Sequence, residues 1–515
     1  MKRKVVALKD FFKENIIGVI GVAVLYLWNV FYQVWQGQNL LDSDMASEII
    51  LADVLNKNHA ILTNEWIYST ELEIFSMQWI YRLGLILFPW NWHLVRTFAT
   101  AVAMAIFALL IIFLFHSMKK TKWGFLAAMF AMFPCGGWYF WQTLFGGYYI
   151  FTICISVATL GLCLSATEDI KSLRAKIYVA LMLILSLLKG MSDIRQAMYF
   201  YLPFFVASCV MYIAALYQRG NTQRSIKIVA LSFICTVINI LGYLFNTLYL
   251  AKKYPYLQYE SMKISAEPFI DKLRDFILSY GFIDGKELFS LPGIASIAGV
   301  IMGGYVVFSA VRLLTKLNKL TFEERVLVLT SISSIIVTML TLTYLEEGSM
   351  RYYQPVLPFG LFLGVMELAT EDFMSEKHRK ISIASILMMM LITSAGTVYN
   401  EMNEPIHDFY AKPQLNIPVK LLCDMGYTKG VSNFFTSNIV TELSDGQIEM
   451  WTIIWGEIEP DPWLQKRSHL EGLPEENYFF IYDKTMDPLP PYSFAMEHPD
   501  LAQIYEDDYC IVFGN

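Results

Sequence analysis

The sequence predicts an all-α polytopic membrane protein of about 11 transmembrane helices, followed by a small C-terminal extracytoplasmic α/β domain. Three observations carry this expectation. Of 515 residues, 56% are hydrophobic and only 17% charged, with a mean hydropathy of +0.44, more apolar than a soluble chain of this length. Apolar stretches long enough to cross a bilayer recur between residues 15 and 398. Charge is also divided. From Glu401 onward there are 20 acidic and 6 basic residues, a balance of −14, which leaves the first 400 residues at +7. The expected domains are therefore 1–398, a polytopic membrane domain whose first outer loop is 37–93, and 399–515, a soluble acidic α/β domain. No Lys/Arg-rich block with interleaved aromatics occurs, so nucleic acid is not an expected partner.

In chain order, MKRK precedes a long apolar helix with no small-residue cleavage site behind it, which reads as an uncleaved signal anchor. Spans are expected near 15–35, 94–116, 123–140, 146–165, 177–189, 197–217, 228–250, 292–314, 325–345, 355–370 and 381–398. The stretch 72–89, LEIFSMQWIYRLGLILFP, is ambiguous because it contains Glu73, Gln78 and Arg82. The positive-inside rule decides. If 72–89 lies along the interface, then MKRK, Lys119–Lys122, the 168–176 loop and Lys377/Arg379/Lys380 all fall inside. The expectation is an integral protein of the plasma membrane with a cytoplasmic N-terminus and an extracytoplasmic C-terminal domain. Lys252 and Lys253 are the main exception to this alternation.

The tail, 399–515, has no span. GQIEMWTIIW, NYFFIYDK and DYCIVFGN read as strands, and 416–426 and 498–504 as short helices. Five cysteines in or beside apolar spans read as small packing residues. Cys423 and Cys510 both fall in the tail, where an oxidising environment would favour a disulfide if they were adjacent.

The outer loops hold more polar chemistry than topology requires. LLDSDMASEII supplies Asp42, Asp44 and Glu48, and the same loop carries His59, Glu65, Tyr68 and Glu71. KGMSDIRQ adds Lys189, Asp193 and Arg195, a long loop adds Lys252, Lys253 and two tyrosines, and LEEGSMRYYQPVLP adds Glu346, Glu347, Arg351, Tyr352 and Tyr353. Taken singly, the DSD pair is a helix cap, and ionisable residues at span ends snorkel. Together they suggest a task. Carboxylates at a membrane surface can act as general base toward a hydroxyl or hold a divalent cation, while Lys and Arg grip a lipid phosphate. These parts fit transfer of a sugar from a lipid-phosphate carrier.

An N-terminal helix, a first outer loop with an Asp-x-Asp pair, and NWHLVRTFAT entering the next span resemble the GT-C fold of integral-membrane glycosyltransferases. RYYQPVLPFGLFL at 351–363 is similar to the Arg-Tyr-x-x-Pro stretch before a late span in many of them. The resemblance covers residues 10–370 in layout. It implies a polyprenyl-phosphate-linked sugar donor, a cell-surface glycan or lipid acceptor, and an essential acidic residue in the first loop, making 37–93 the catalytic loop. By it, Asp42 and Asp44 are the base or a metal-binding pair, and Arg351 contacts the donor phosphate. Tyr352, Arg195, Lys189, Lys252, Glu48 and His59 complete the expected substrate-binding set. A divalent cation, Mg or Mn, is the one cofactor this allows. Where family members carry a second acidic motif, this chain offers only Asp193 or Glu346/Glu347. The alternatives are a polytopic transporter or flippase of a lipid-linked or polar substrate, and a structural membrane partner. A transporter would place ionisable residues at the midplane and show paired repeats. A structural partner leaves the clustered charges unexplained.

Overall fold

The computed structural model describes residues 2–72, 74–217, 222–254, 256, 269–343, 350–370, 373–403, 411–454, 458–485 and 501–515, with side chains from Asn15 onward except those of Phe269 and Thr343. Glu73, Glu346, Glu347 and the start of the expected 498–504 helix lie outside the described residues. The helices are α1 (Lys2–Gln36), α2 (Ser43–Lys57), α3 (Gln78–Leu87), α4 (Trp92–Ser117), α5 (Thr121–Ala131), α6 (Gly137–Tyr139), α7 (Ile150–Glu168), α8 (Leu173–Ser192), α9 (Leu202–Tyr217), α10 (Thr222–Phe245), α11 (Ala251–Lys253), α12 (Phe269–Leu278), α13 (Leu291–Thr315), α14 (Phe322–Thr343), α15 (Val356–Ala369) and α16 (Glu376–Asn403). Single π-helical stretches continue α6 (Phe140–Phe145), precede α9 (Ala197–Tyr201) and follow α10 (Asn246–Leu250). The C-terminal segment holds β1 (Lys429–Asn433), β2 (Glu449–Ile453), β3 (Tyr478–Asp483), β4 (Ala502–Glu506) and β5 (Cys510–Gly514), with α17 (Asn416–Asp424) before β1 and α18 (Phe434–Leu443) between β1 and β2.

Among the described residues, nine helices are long and apolar enough to cross a membrane. The expected spans at 123–140 and 355–370 are shorter than the sequence suggested. The first is broken at Met132-Phe133-Pro134: proline cannot donate to the helical ladder, and Gly136 follows at φ 75°, where an added Cβ would sit 2.8 Å from the Ser279 carbonyl. Thus α5 has 11 residues and α15 has 14, on the order of 17 and 21 Å of helix against a hydrocarbon core of roughly 30 Å. Every residue of α15 is buried. The stretch 72–89 forms α3, whose 10 residues span about 15 Å, too short to cross. Its buried side carries Gln78, Ile80, Tyr81, Gly84 and Leu85, while Trp79, Leu83, Ile86 and Leu87 are exposed.

Two compact units emerge from the contacts. One comprises Met1–Asn29, Ala103–Phe245 and Glu260–Ile406, with α15 packed against α5, α13 and α14, and α8 against α10. The other comprises Val30–Val102, Asn246–Tyr259 and His407–Asn515, where α2 packs on α3 and α18. Its sheet has five strands in the order β2-β1-β3-β5-β4. Strands β2, β1 and β3 are parallel, with Val431 opposite Trp451 and Phe480, whereas β5 pairs antiparallel with both β3 and β4. The parallel step from β1 to β2 crosses over through α18. Val431, Ile453, Tyr478, Phe480, Ile511 and Phe513 form one core.

Three of these strands fall where the sequence placed them, as does α17. β1 and α18 were not anticipated. The expected helix at 498–504 is corrected: Ala502–Glu506 is edge strand β4, because pairing with β5 (Gln503 opposite Phe513) overrides the local helical preference of Ala and Gln. Cys423 and Cys510 are free thiols, the first on α17 and the second buried on β5.

Candidate active site

The acidic pair sits where α2 begins. Asp42 is the N-cap, with extended backbone, and its Oδ1 accepts the Met45 N–H at 2.6 Å. The cap is not solvated: Asp42 is 3% exposed. Burial, and then the neighbouring charge of Asp44, push the Asp42 carboxyl well above the usual carboxylate range, against the Met45 N–H and Arg96. Asp44, in the first turn, is half-buried. Glu48 lies one turn further on, buried, and its backbone carbonyl accepts Gln78 Nε2 at 3.0 Å.

Arg96, which the sequence reading passed over, organises this end of α2. It is 1% exposed. Its Nε and Nη2 donate to the two Glu442 carboxylate oxygens at 2.7 and 2.6 Å, Nη2 also to the Met45 carbonyl at 2.7 Å, and Nη1 to the Tyr81 hydroxyl at 3.1 Å. This is the planar bidentate fork for which Arg is suited.

A second cluster forms in the other unit. Lys189 lies in the last turn of α8 and pairs one turn later with Asp193, Nζ to Oδ2 2.5 Å, both buried. Asp193 also accepts the Gln196 N–H at 3.3 Å and so caps the next helical stretch. Its burial raises the carboxyl, but Lys189 and Arg195 outweigh that and hold it below its ordinary value. Arg195 Nη1 donates to the Tyr149 hydroxyl at 2.9 Å, and its guanidinium lies 5.7 Å from that ring and 5.5 Å from the Tyr352 ring. Arg351 lies 5.1 Å from the same Tyr352 ring, so two guanidiniums attend one aromatic. The turn carrying Arg351 and Tyr352, Met350–Tyr353, is anchored by Gln354, which accepts Thr143 Oγ1 at 2.8 Å and donates to the Trp138 carbonyl at 3.3 Å.

Four expected binding residues, Lys189, Arg195, Arg351 and Tyr352, thus come together. Three cations and one carboxylate leave the cluster cationic, which suits a phosphate. Asp42, Asp44 and Glu48 share the first turns of α2. His59 and Lys252 figure in neither set of contacts. His59 is exposed at φ 49° past the C-terminus of α2, about 20 Å of helix from Asp44, and Lys252 is exposed on α11. No trio of His, Cys, Asp or Glu that could hold a metal gathers among the described residues. Asp42 and Asp44, the two carboxylates expected to hold a cation, both lie at the start of α2, with Asp42 Oδ1 already accepting the Met45 N–H.

No protein-family model matches the chain, and no curated protein does. Among solved structures, the chain is similar to ArnT from Cupriavidus metallidurans bound to undecaprenyl phosphate, at 10% identity and TM-score 0.56, covering 98% of each chain. It matches the apo state of the same protein at 12% identity and TM-score 0.56, covering 96% of this chain and 98% of that one. An oligosaccharyltransferase from Archaeoglobus fulgidus, crystallised with Zn and sulfate, matches at 14% identity and TM-score 0.47 over 91% of this chain and 68% of its own. The likeness to ArnT over nearly the full length shows the fold: GT-C.

Proposed function

We propose that this protein is a membrane glycosyltransferase that moves a sugar from a polyprenyl-phosphate-linked donor to a glycan or lipid acceptor at the outer face of the plasma membrane. The observation that carries the reading is the cationic cluster in which Arg195 and Arg351 attend Tyr352 beside the Lys189–Asp193 pair. The GT-C fold supports it, as does the undecaprenyl phosphate bound by ArnT. In this reading residues 1–398 are the membrane domain, 37–93 the catalytic loop, and 399–515 an extracytoplasmic domain, with the N-terminus cytoplasmic.

Arg351, Arg195 and Lys189 hold the donor phosphate, and Tyr352 keeps the two guanidiniums fanned around it. Asp44 accepts the proton of the acceptor hydroxyl as its oxygen bonds to the anomeric carbon. The bond from that carbon to the phosphate oxygen breaks, and polyprenyl phosphate leaves with the electron pair. Asp42 orients Asp44 through the α2 cap. A divalent cation, Mg or Mn, would be held by Asp42 and Asp44 and would supply neutralisation of phosphate charge. Glu48, at the same end of α2, contacts the acceptor, and His59 and Lys252 stay outside this assignment.

The experiment is binding of undecaprenyl phosphate to the full-length protein in nanodiscs, followed by native mass spectrometry. Wild type should retain the lipid over a neutral polyprenol, and Arg195→Met/Arg351→Met should lose that preference. Equal retention of both lipids by wild type would sink the reading.

A further inference from the structure

Glu442 belongs to the C-terminal segment, on α18, yet its carboxylate holds a side chain from the start of the chain's second long helix, α4. Its partner Arg96 sits in the second turn of α4, and Arg96 in turn grips the first turn of α2. Both backbone polar groups of Met45 are held: the N–H by Asp42 Oδ1 and the carbonyl by Arg96 Nη2. Asp44 is the residue immediately before it. Two further bonds tie the same elements. The Ser43 hydroxyl donates to the Phe434 carbonyl at the start of α18, and the Trp92 N–H, at the start of α4, donates to the Asp445 carboxylate just past its end at 2.6 Å. Thus α18 meets the acidic turn directly at Phe434 and reaches it from its last turn through Arg96, while Asp445, just past its end, holds the start of α4.

We propose that Arg96 and Glu442 are positioning residues for the Asp42–Asp44 pair, so that the C-terminal α/β segment is a working part of the catalytic loop and not a lid over it. The chemistry favours this over a purely stabilising role. A fully buried ion pair must recover the desolvation of two charges, and apolar residues of similar volume often serve stability as well or better. What a bidentate guanidinium–carboxylate pair adds is fixed direction: with Tyr81 on the third arm, the guanidinium plane is set from three elements. A carboxylate that must meet a hydroxyl at hydrogen-bond distance needs such direction, since displacement of about 1 Å costs on the order of a hundredfold in rate.

The catalytic half of this inference rests on the sugar-transfer reading; the structural half does not. Three full-length proteins in nanodiscs are compared: wild type, Glu442→Gln, and the double variant Arg96→Met/Glu442→Met, which removes both charges and keeps the volume. Amide hydrogen exchange over residues 40–50 should quicken by about tenfold or more in Glu442→Gln, because Arg96 loses its counter-charge. The double variant should fold, yet transfer from a panel of polyprenyl-phosphate sugars should fall in kcat by about 10–100-fold at nearly unchanged donor KM. That split is expected because the donor phosphate is assigned to Lys189, Arg195 and Arg351. Wild-type exchange at 40–50 in Glu442→Gln, or wild-type kcat in the double variant, would overturn the inference. If wild type instead transfers no sugar from the panel, the sugar-transfer reading falls, and the exchange result still decides whether α18 holds the acidic turn.

Discussion

Replacing each member of the acidic pair by Asn separates chemistry from folding unusually well, because Asn keeps the shape and the capping ability. Asn and Asp are equivalent N-caps, so Asp42→Asn should retain the bond to the Met45 N–H at little cost in stability. Asp44→Asn removes one negative charge from the first turn of α2, a loss of about 0.3–1 kcal/mol. Removal of a general base costs roughly 2–4 orders of magnitude in rate, equivalent to about 3–5 kcal/mol of barrier. The loss of activity in Asp44→Asn should therefore exceed any loss of stability several-fold. Asp42 differs in its surroundings. Burial, then the charge of Asp44, push its carboxyl up, which favours the neutral form that Asn mimics. Without a cation, Asp42→Asn should lower the rate by about tenfold at most. With Mg or Mn shared by both carboxylates, the two variants should be equally damaging and a chelator should abolish transfer. The assay is transfer from polyprenyl-phosphate sugars in nanodiscs, with monodispersity and Tm checked for each variant. Near-wild-type transfer by Asp44→Asn would refute the reasoning, leaving the pair as a buried cap.

Arg351→Lys keeps the charge but loses the planar fork and most of the stacking on Tyr352, so undecaprenyl phosphate affinity should fall by about 1–2 kcal/mol while Tm stays within a few degrees. In a Cys423→Ser background, a cysteine at exposed Lys171 should resist an impermeant thiol reagent added to intact cells, while one at exposed Asp508 should react; the reverse pattern would invert the topology. His469 stacks on Trp451 at 4.1 Å and bonds Glu449 at 2.9 Å, and burial holds its pKa below 6.5 despite that carboxylate. A depressed folded pKa contributes stability that is present above about 6.5 and lost as pH falls below it, so Trp451 fluorescence should unfold at lower temperature from pH 6.5 to 5, and His469→Gln should flatten that dependence.

The sequence reads well where physics is local and poorly where it is not. The Asp-x-Asp pair, Lys189, Arg195 and the Arg351-Tyr352 step stand out because ionisable residues at the ends of apolar helices are costly, and each is flagged by its own neighbours. Arg96 was invisible for the opposite reason. Within NWHLVRTFAT it has the look of a cation snorkelling at a span end, and only Glu442, 346 positions away, turns it into a buried fork. A local window cannot contain that pair. The same limit explains the two short helices. Hydropathy measures transfer from water and does not say whether lipid or protein receives the side chain, so VLPFGLFLGVMELA scores as a span although all 14 of its residues are covered by protein. Pro134 was a local signal that the 123–140 stretch would break, but its consequence depends on Gly136 meeting the Ser279 carbonyl across the chain. For α18 the error is more informative. FFTSNIVTEL carries no strong amphipathic stripe because it is covered on several sides, by β1, β2, α2 and α17. A helix that faces several partners looks featureless in sequence, and such a helix is where an element recruited to hold another segment in place is expected.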